Sequence, residues 1–411
     1  MSQENQAVQE ALDVYAPDTE IVPPGDKRSE VGLIPEGWRV TNLGNVITLQ
    51  RGYDLPQRNR RSGPIPIVSS SGTCDTHSQS QVRGPGVVTG RYGTVGEVFF
   101  VREDFWPLNT TLFVSDFKGN NPLFISYMLR TIDFASHSGK SGVPGVNRND
   151  LHGLNVVVPP VHEQRAIAAA LSDVDALISS LDRLISKKRA VKTAAMQQLL
   201  TGKQRLPGFS GEWEMKRLGD VCEIVSGGTP STSVPSFWTG EIPWCTPTDI
   251  TKNNAKYLFS TDRTISPEGL KYSSAALLPR GALLLCTRAT VGEIKIAAVP
   301  VCTNQGFKSL VCGSDLGTEF LYYKLVTLKD RLRELGVGST FLEVSRKDVA
   351  ALEIPLPQLE EQTAIAAVLS DMDAELSALE ARREKTWQLK QGMMQELLTG
   401  RTRLRDRRAG G

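Results

Sequence analysis

The chain has 411 residues, of which 47 are basic and 45 acidic, for a formal net charge of +2. That length exceeds one ordinary core and suits two or three domains, and 22% charged with 40% hydrophobic residues is the composition of a soluble globular protein. The charge balance neither demands nor excludes nucleic acid, while the absence of any apolar run near the roughly 20 residues of a membrane span excludes a spanning helix.

In chain order, the start MSQENQAVQEALDVYAPDTE is polar and acidic, unlike a secretory signal. Residues 1–33 carry seven acidic against two basic residues and a Pro-Pro-Gly, which predicts a mobile or partner-bound extension. Residues 34–160 read as a β-rich domain. Gly86–Val101 is a strand, a glycine turn and a second strand, and Asn121–Arg130 is a short amphipathic helix. Residues 161–202 form a long helix, 203–357 a second β-rich domain, 358–400 a second long helix and 401–411 a basic tail. In the second domain Ile242–Trp244, Ala282–Cys286 and Ile294–Val299 read as strands and Thr318–Thr327 as a helix. The tail reads as a frayed helix end, with phosphate contact as the alternative reading.

The two helices are near-copies. EQRAIAAALSDVDALISSLDRLISKKRAVKTAAMQQLLTGKQRL begins at Glu163 and EQTAIAAVLSDMDAELSALEARREKTWQLKQGMMQELLTGRTRL at Glu361, a constant offset of 198 with no gap. Ile167, Leu171, Val174, Ile178, Leu181 and Ile185 alternate steps of four and three, as do Ile365, Leu369, Met372, Leu376 and Leu379, the seam spacing of a coiled coil. Pro160 and Pro357 stand just upstream, and Gly202 and Gly400 just past the last leucine pair. About 38 helical residues give a rod of about 57 Å. The seam weakens at Lys188, Lys192, Arg383, Thr386 and Lys390, with Leu184, Val191, Trp387 and Leu389 on neighbouring faces to take it over. The globular segments match faintly. Trp38, Leu43, Gly44 and Val46 answer to Trp213, Leu218, Gly219 and Val221 at offset 175, and Thr94–Glu97 to Thr290–Glu293 at offset 196. The extra residues of the second domain fall within 245–285.

The tools of catalysis are missing. No GxxxxGK[ST] loop argues for ATP use, and no GxGxxG opens a helix after a strand. Neither Pro-Pro pair has the flanks of a base-methyltransferase loop, and no acidic cluster suggests a metal-dependent nuclease. Ser69, Ser70 and Ser71 lack a histidine partner and read as turn residues. Cys74, Cys222, Cys245, Cys286, Cys302 and Cys312 form no CxxC pair, and the four histidines fall at no ligand spacing with them. Buried thiols in a reducing cytoplasm, without a metal, are expected. Binding candidates sit in loops instead. They are Arg51, Tyr53, Arg58, Arg60, Arg61, Arg91, Tyr92 and Thr94 in the first domain, and Lys252, Lys256, Arg263, Arg288 and Thr290 in the second. Arginine on a rigid loop can present a bidentate fork to guanine, and lysines to phosphate; the competing reading of each is a solvated surface with salt bridges.

The strings EQRAIAAALSDVDA, MQQLLTGKQRLPGF, IPLPQLEEQTAIAAVLSDMDA and MQELLTGRTRL resemble the conserved regions of type I restriction–modification specificity subunits. GLIPEGWRVTNLGNV, GRYGTVGEVFFVREDFWPLNTTLFV and VSGGTPS resemble target-recognition-domain sequences of that family. The resemblance covers nearly the whole chain from about residue 31. It implies an α+β fold: two β-rich target recognition domains separated by two long helices that pair as an antiparallel coiled coil with pseudo-two-fold symmetry. It implies a non-catalytic subunit, one copy per complex, that reads a split, asymmetric target on double-stranded DNA. It also implies two modification subunits that bring S-adenosylmethionine and methylate adenine N6, and restriction subunits that use ATP and magnesium. The chain itself then needs no cofactor, metal or membrane. The helices act as a ruler, and about 57 Å covers about 17 base pairs. The polar breaks at Lys188, Lys192, Arg383 and Lys390 are the expected docking points for modification subunits. Two other classes remain: a scaffold whose domains no longer read DNA, and a chain with its own methyltransferase or nuclease activity.

Overall fold

The computed structural model describes residues 22–137, 145–336 and 343–404. The chain divides into two compact units, one built from the described residues up to Ser180 and from Arg383 on, the other from Leu181–Arg382. Each unit holds one β-rich domain, part of the first long helix (Val161–Leu199) and part of the second (Leu359–Leu397). Among the described residues no helix is long and apolar enough to cross a membrane, and no cluster of His, Cys, Asp and Glu could hold a metal ion.

The first domain contains β1 (Asp26–Ser29), β2 (Gly32–Pro35), β3 (Arg39–Asn42), β4 (Thr48–Arg51), β5 (Ile65–Ser69), β6 (Gly72–His77), β7 (Gly86–Gly90), β8 (Val98–Val101), β9 (Trp106–Pro107), β10 (Thr111–Asp116) and β11 (Asn155–Val158). The main sheet runs β4-β10-β7-β8 and is antiparallel throughout. A smaller one runs β6-β5-β9, with β5 and β9 parallel, and β3 pairs with β11. The second domain contains β12 (Glu214–Arg217), β13 (Cys222–Ser226), β14 (Ile242–Cys245), β15 (Tyr257–Leu258), β16 (Arg263–Ile265), β17 (Leu283–Leu285), β18 (Ile294–Ala297), β19 (Cys302–Thr303), β20 (Lys308–Cys312) and β21 (Glu353–Leu356). Its sheets run β13-β20-β17-β18-β15 and β16-β14-β19, with β14 and β19 parallel, and β12 pairs with β21. Apart from the β1–β2 hairpin, this repeats the first domain strand for strand, with additions, so the faint sequence correspondence marks a duplicated fold. The additions, β15 and the short helices Pro247–Thr251 and Pro267–Lys271, fall in the segment where the extra residues are expected.

Each core recruits both long helices. In the first unit Leu43, Ile47, Leu49, Phe124 and Tyr127 pack with Ile167, Ala168 and Leu171 from the start of one helix and Met394, Leu397 and Leu398 from the end of the other. In the second, Leu283, Leu310, Phe320 and Tyr323 pack with Ile365, Ala366 and Leu369, and with Met196, Leu199 and Leu200. Ile167 and Leu171 of the first predicted seam and Ile365 and Leu369 of the second therefore serve a domain core, because an apolar stripe buries against the largest apolar surface it meets. Ile178, Leu181, Ile185 and Leu376 are buried in the middle stretch. Leu184, Val191, Trp387 and Leu389, expected to take over the seam, are exposed. The helices end as expected, with Gly202 at φ +70° and Gly400 at φ +79°, a region that favours glycine.

Other expectations need correction. Part of the extension forms an antiparallel hairpin, β1–β2, carried by the tight turn at Gly32; residues 1–21 lie outside the described residues. The tail is no frayed end at Arg403, whose role follows below, and residues 405–411 lie outside the described residues. Cys74 is exposed, against the expectation of buried thiols.

Candidate nucleic-acid interface

The repeated Glu-Gln at each helix start fastens a domain to the helices. Glu163, almost fully buried, accepts from Trp38 Nε1 at 3.0 Å and from Arg403 Nη2 at 2.6 Å. Glu361 accepts from Trp213 Nε1 at 3.0 Å and from Arg205 Nη2 at 2.6 Å. Burial alone would raise the Glu163 carboxyl, but the Arg403 and Trp38 hydrogen bonds outweigh it and hold it below its ordinary value. Gln164 donates to Asn120 Oδ1 and Pro159 O and accepts from the Asn121 amide. Gln362 does the same with Asp315 O, Pro357 O and the Gly317 amide.

A second device is also duplicated. Tyr127 Oη donates to Asp175 at 2.6 Å, Lys390 Nζ pairs with the same carboxylate at 2.7 Å, and the lysine lies 5.7 Å from the Tyr127 ring. In the other unit Tyr323 Oη donates to Asp373 at 2.6 Å, Lys192 pairs with Asp373, and Lys192 Nζ lies 5.5 Å from the Tyr323 ring. Burial, and then the bond to aspartate, pushes both phenols well above their usual range. Within each unit a residue near the start of one helix therefore meets one near the end of the other, which is antiparallel pairing. Lys188 joins it through Glu375 at 2.7 Å and Arg189 through Glu380 at 2.6 Å. Lys188, Lys192 and Lys390, singled out as docking points, are thus turned to aspartate or glutamate within their own units, and Arg383 is also engaged within the chain. These pairs account for the polar breaks in the seam.

The loop candidates separate into engaged and available side chains. In the first domain Tyr53 is half-buried, its ring 5.8 Å from Phe113 and 6.5 Å from Trp106, so it packs the domain. Arg60 pairs with Asp75 at 2.9 Å, and that hydrogen bond, helped by the Thr76 amide, lowers the Asp75 carboxyl. Arg61 donates its backbone N–H to His77 Nδ1 at 2.9 Å and leaves its side chain exposed. Arg58 is exposed on the turn Gln57–Asn59. Arg91 stacks 4.6 Å from the Tyr92 ring centre, beside exposed Thr94 in the β7–β8 turn. In the second domain Lys256, expected among the DNA contacts, is held instead by Glu319 at 3.3 Å and Ser370 at 2.9 Å between the Tyr257 and Tyr323 rings. Arg288 is bound to Glu343, and the Thr290 hydroxyl is buried. Lys252 pairs with Asp262 at the surface. Arg263 stays exposed, 3.7 Å from the Trp238 ring.

Sequence reasoning missed a matched pair of contacts. The Tyr53 amide donates to Pro107 O and the Gly228 amide to Thr303 O, each at 2.8 Å; the Arg91 amide donates to Thr110 O and the Thr287 amide to Gly306 O. These bonds equate Asp54 with Thr229 and Asn109 with Gln305. At that shared place Asn109 donates to Asp54, whereas Thr229 donates to Gln305 Oε1. The partners are 55 and 76 residues apart, and no motif announces them.

The model for the type I restriction modification DNA specificity domain matches residues 35–187 and 210–387. The type I restriction enzyme MjaIX specificity subunit of Methanocaldococcus jannaschii is 38% identical over 164 residues, 39% of this chain and 38% of that protein. The MjaVIII specificity subunit of the same organism is 23% identical over 91% of this chain and 95% of its own length. In fold, the chain is similar to the type I restriction–modification S subunit from M. genitalium. The TM-score is 0.61 at 14% identity, over 88% of this chain and 96% of that one.

Proposed function

This chain belongs to the family of type I restriction–modification DNA specificity subunits, and from that premise we propose that it reads a split, asymmetric DNA target, one half with each domain. The observation that carries the reading is the duplication: two domains with one strand order and different exposed loop chemistry. A single recognition surface would not need two diverged copies, and two unlike readers give an asymmetric site. The chain acts without catalysis of its own, as one copy in a cytoplasmic complex. Two modification subunits bring S-adenosylmethionine for adenine methylation, and restriction subunits bring ATP and magnesium chemistry. The long helices measure the unspecified spacer. Exposed Leu184 and Val191, one heptad apart, and exposed Trp387 and Leu389 suit apolar docking of the modification subunits. Lys188, Lys192 and Lys390 are held by carboxylates within their own units instead.

The test is co-expression with the modification subunit and sequencing of methylated adenines. A split, non-palindromic motif is expected, and exchange of residues 208–357 for those of another specificity subunit is expected to change one half of it. Both halves changing together would overturn the two-reader assignment.

A further inference from the structure

The matched contacts found at one place in both domains carry a sharper assignment, which rests on the DNA-reading function proposed above. Strand register equates Arg51, opposite Leu112, with Ser226, opposite Lys308. Each domain therefore presents three polar residues on two neighbouring segments: Arg51, Asp54 and Asn109 in the first, Ser226, Thr229 and Gln305 in the second. Arg51 lies 3.8 Å from Asp54, which is bonded to Asn109. Thr229 is bonded to Gln305. Arg51, Asp54, Ser226, Thr229 and Gln305 are exposed, and Asn109 is half-buried.

We propose that these two triplets are equivalent base-reading elements and that the carboxamides of Asn109 and Gln305 each take the major-groove edge of an adenine. Adenine presents an N6 donor beside an N7 acceptor, and a carboxamide meets both at once. Each carboxamide keeps that capacity while pinned. Asn109 uses one N–H on Asp54 and retains its oxygen and second N–H. Gln305 accepts one hydrogen bond and retains a lone pair and both N–H groups. Pinning by a partner from a distant segment also lowers the entropy lost when the side chain docks. Phosphate is a poor occupant of the first site, because the exposed Asp54 carboxylate would repel it. A base edge with amino donors suits a carboxylate, and Arg51 beside it suits guanine O6 and N7. The second triplet is neutral and lacks the guanine fork. Equal position with unequal chemistry is what two different half-targets require.

The test is selection of bound duplexes from a library randomised across the target, using the full chain co-purified with its modification subunit. Wild type is expected to yield a split motif. Asn109→Ala is expected to relax one adenine in one half by about tenfold or more, and Gln305→Ala one adenine in the other half. Asn109→Asp, which accepts but cannot donate, is expected to move that position towards cytosine. Unchanged thermal melting of each variant ties the effect to reading. Variants that keep the wild-type motif, or that weaken all sequences equally with a shallower salt dependence, overturn the base-reading assignment. A wild-type complex that selects no motif overturns the proposed function itself.

Discussion

The two domains agree where they meet the helices and disagree in their exposed loops. Trp38, Glu163 and Arg403 in one unit match Trp213, Glu361 and Arg205 in the other, partner for partner and nearly distance for distance. Tyr127, Asp175 and Lys390 match Tyr323, Asp373 and Lys192 in the same way. The loops retain the backbone bonds and change the side chains, from Asp54 and Asn109 to Thr229 and Gln305. The difference teaches that duplication preserved the attachment of each reader while its contact surface diverged. The attachment rests on buried charges whose partners must change together, whereas an exposed loop residue can change singly at small cost in stability.

The largest expected effect separates the two glutamates. Glu361 is 2% exposed and the Arg205 side chain 24%, while the Arg403 side chain opposite Glu163 is 49% exposed. Glu361→Ala should therefore cost the more stability, because the arginine it strands is the less exposed of the two, while each substitution also strands an indole N–H. Glu163→Ala should cost about 1–2 kcal/mol, because water can reach Arg403. Urea unfolding of each variant measures both, and equal losses would mean that burial does not distinguish the attachments. A smaller contrast lies in the aspartates. The Ser370 hydroxyl is 3.2 Å from Tyr323 Oη and can replace part of what Asp373 supplies. Asp175→Asn should then cost about 2 kcal/mol and Asp373→Asn about 1 kcal/mol; the reverse order in thermal or urea unfolding would break the assumed equivalence. The smallest effect concerns pH. Glu163 has a lowered folded-state pKa, so its contribution is complete above its ordinary value and is lost as pH falls through the lowered one. Glu163→Gln should flatten the acid limb of the stability–pH curve in that window. An unchanged acid limb would show that another carboxylate dominates it.

Much of this was legible locally. The helices announce themselves through periodicity, upstream proline and terminal glycine, and both run close to the expected bounds. Strands around the Gly90–Gly96 turn and the helices Pro122–Leu129 and Thr318–Thr327 also stand where the pattern puts them. The candidate interface was less legible. Arg58, Arg61, Arg91 and Arg263 keep the exposed or half-exposed positions a DNA contact needs, whereas Tyr53, Arg60, Lys256, Arg288 and Thr290 are engaged or buried. A charged residue on a loop reads the same in sequence whether or not a partner waits for it.

By itself the sequence determined the duplication, the two helices and the β-rich character of both domains, because these follow from short-range periodicity and from residues that start or stop an element. Tertiary structure alone decided which charges are occupied. Arg403 reaches Glu163 across 240 positions, Arg205 reaches Glu361 across 156, and Lys192 reaches Asp373 across 181. Such pairings depend on helices running antiparallel and on strands from distant segments lying side by side. A carboxylate held by an indole and a guanidinium is made only when the chain closes those long loops, and no local pattern records it.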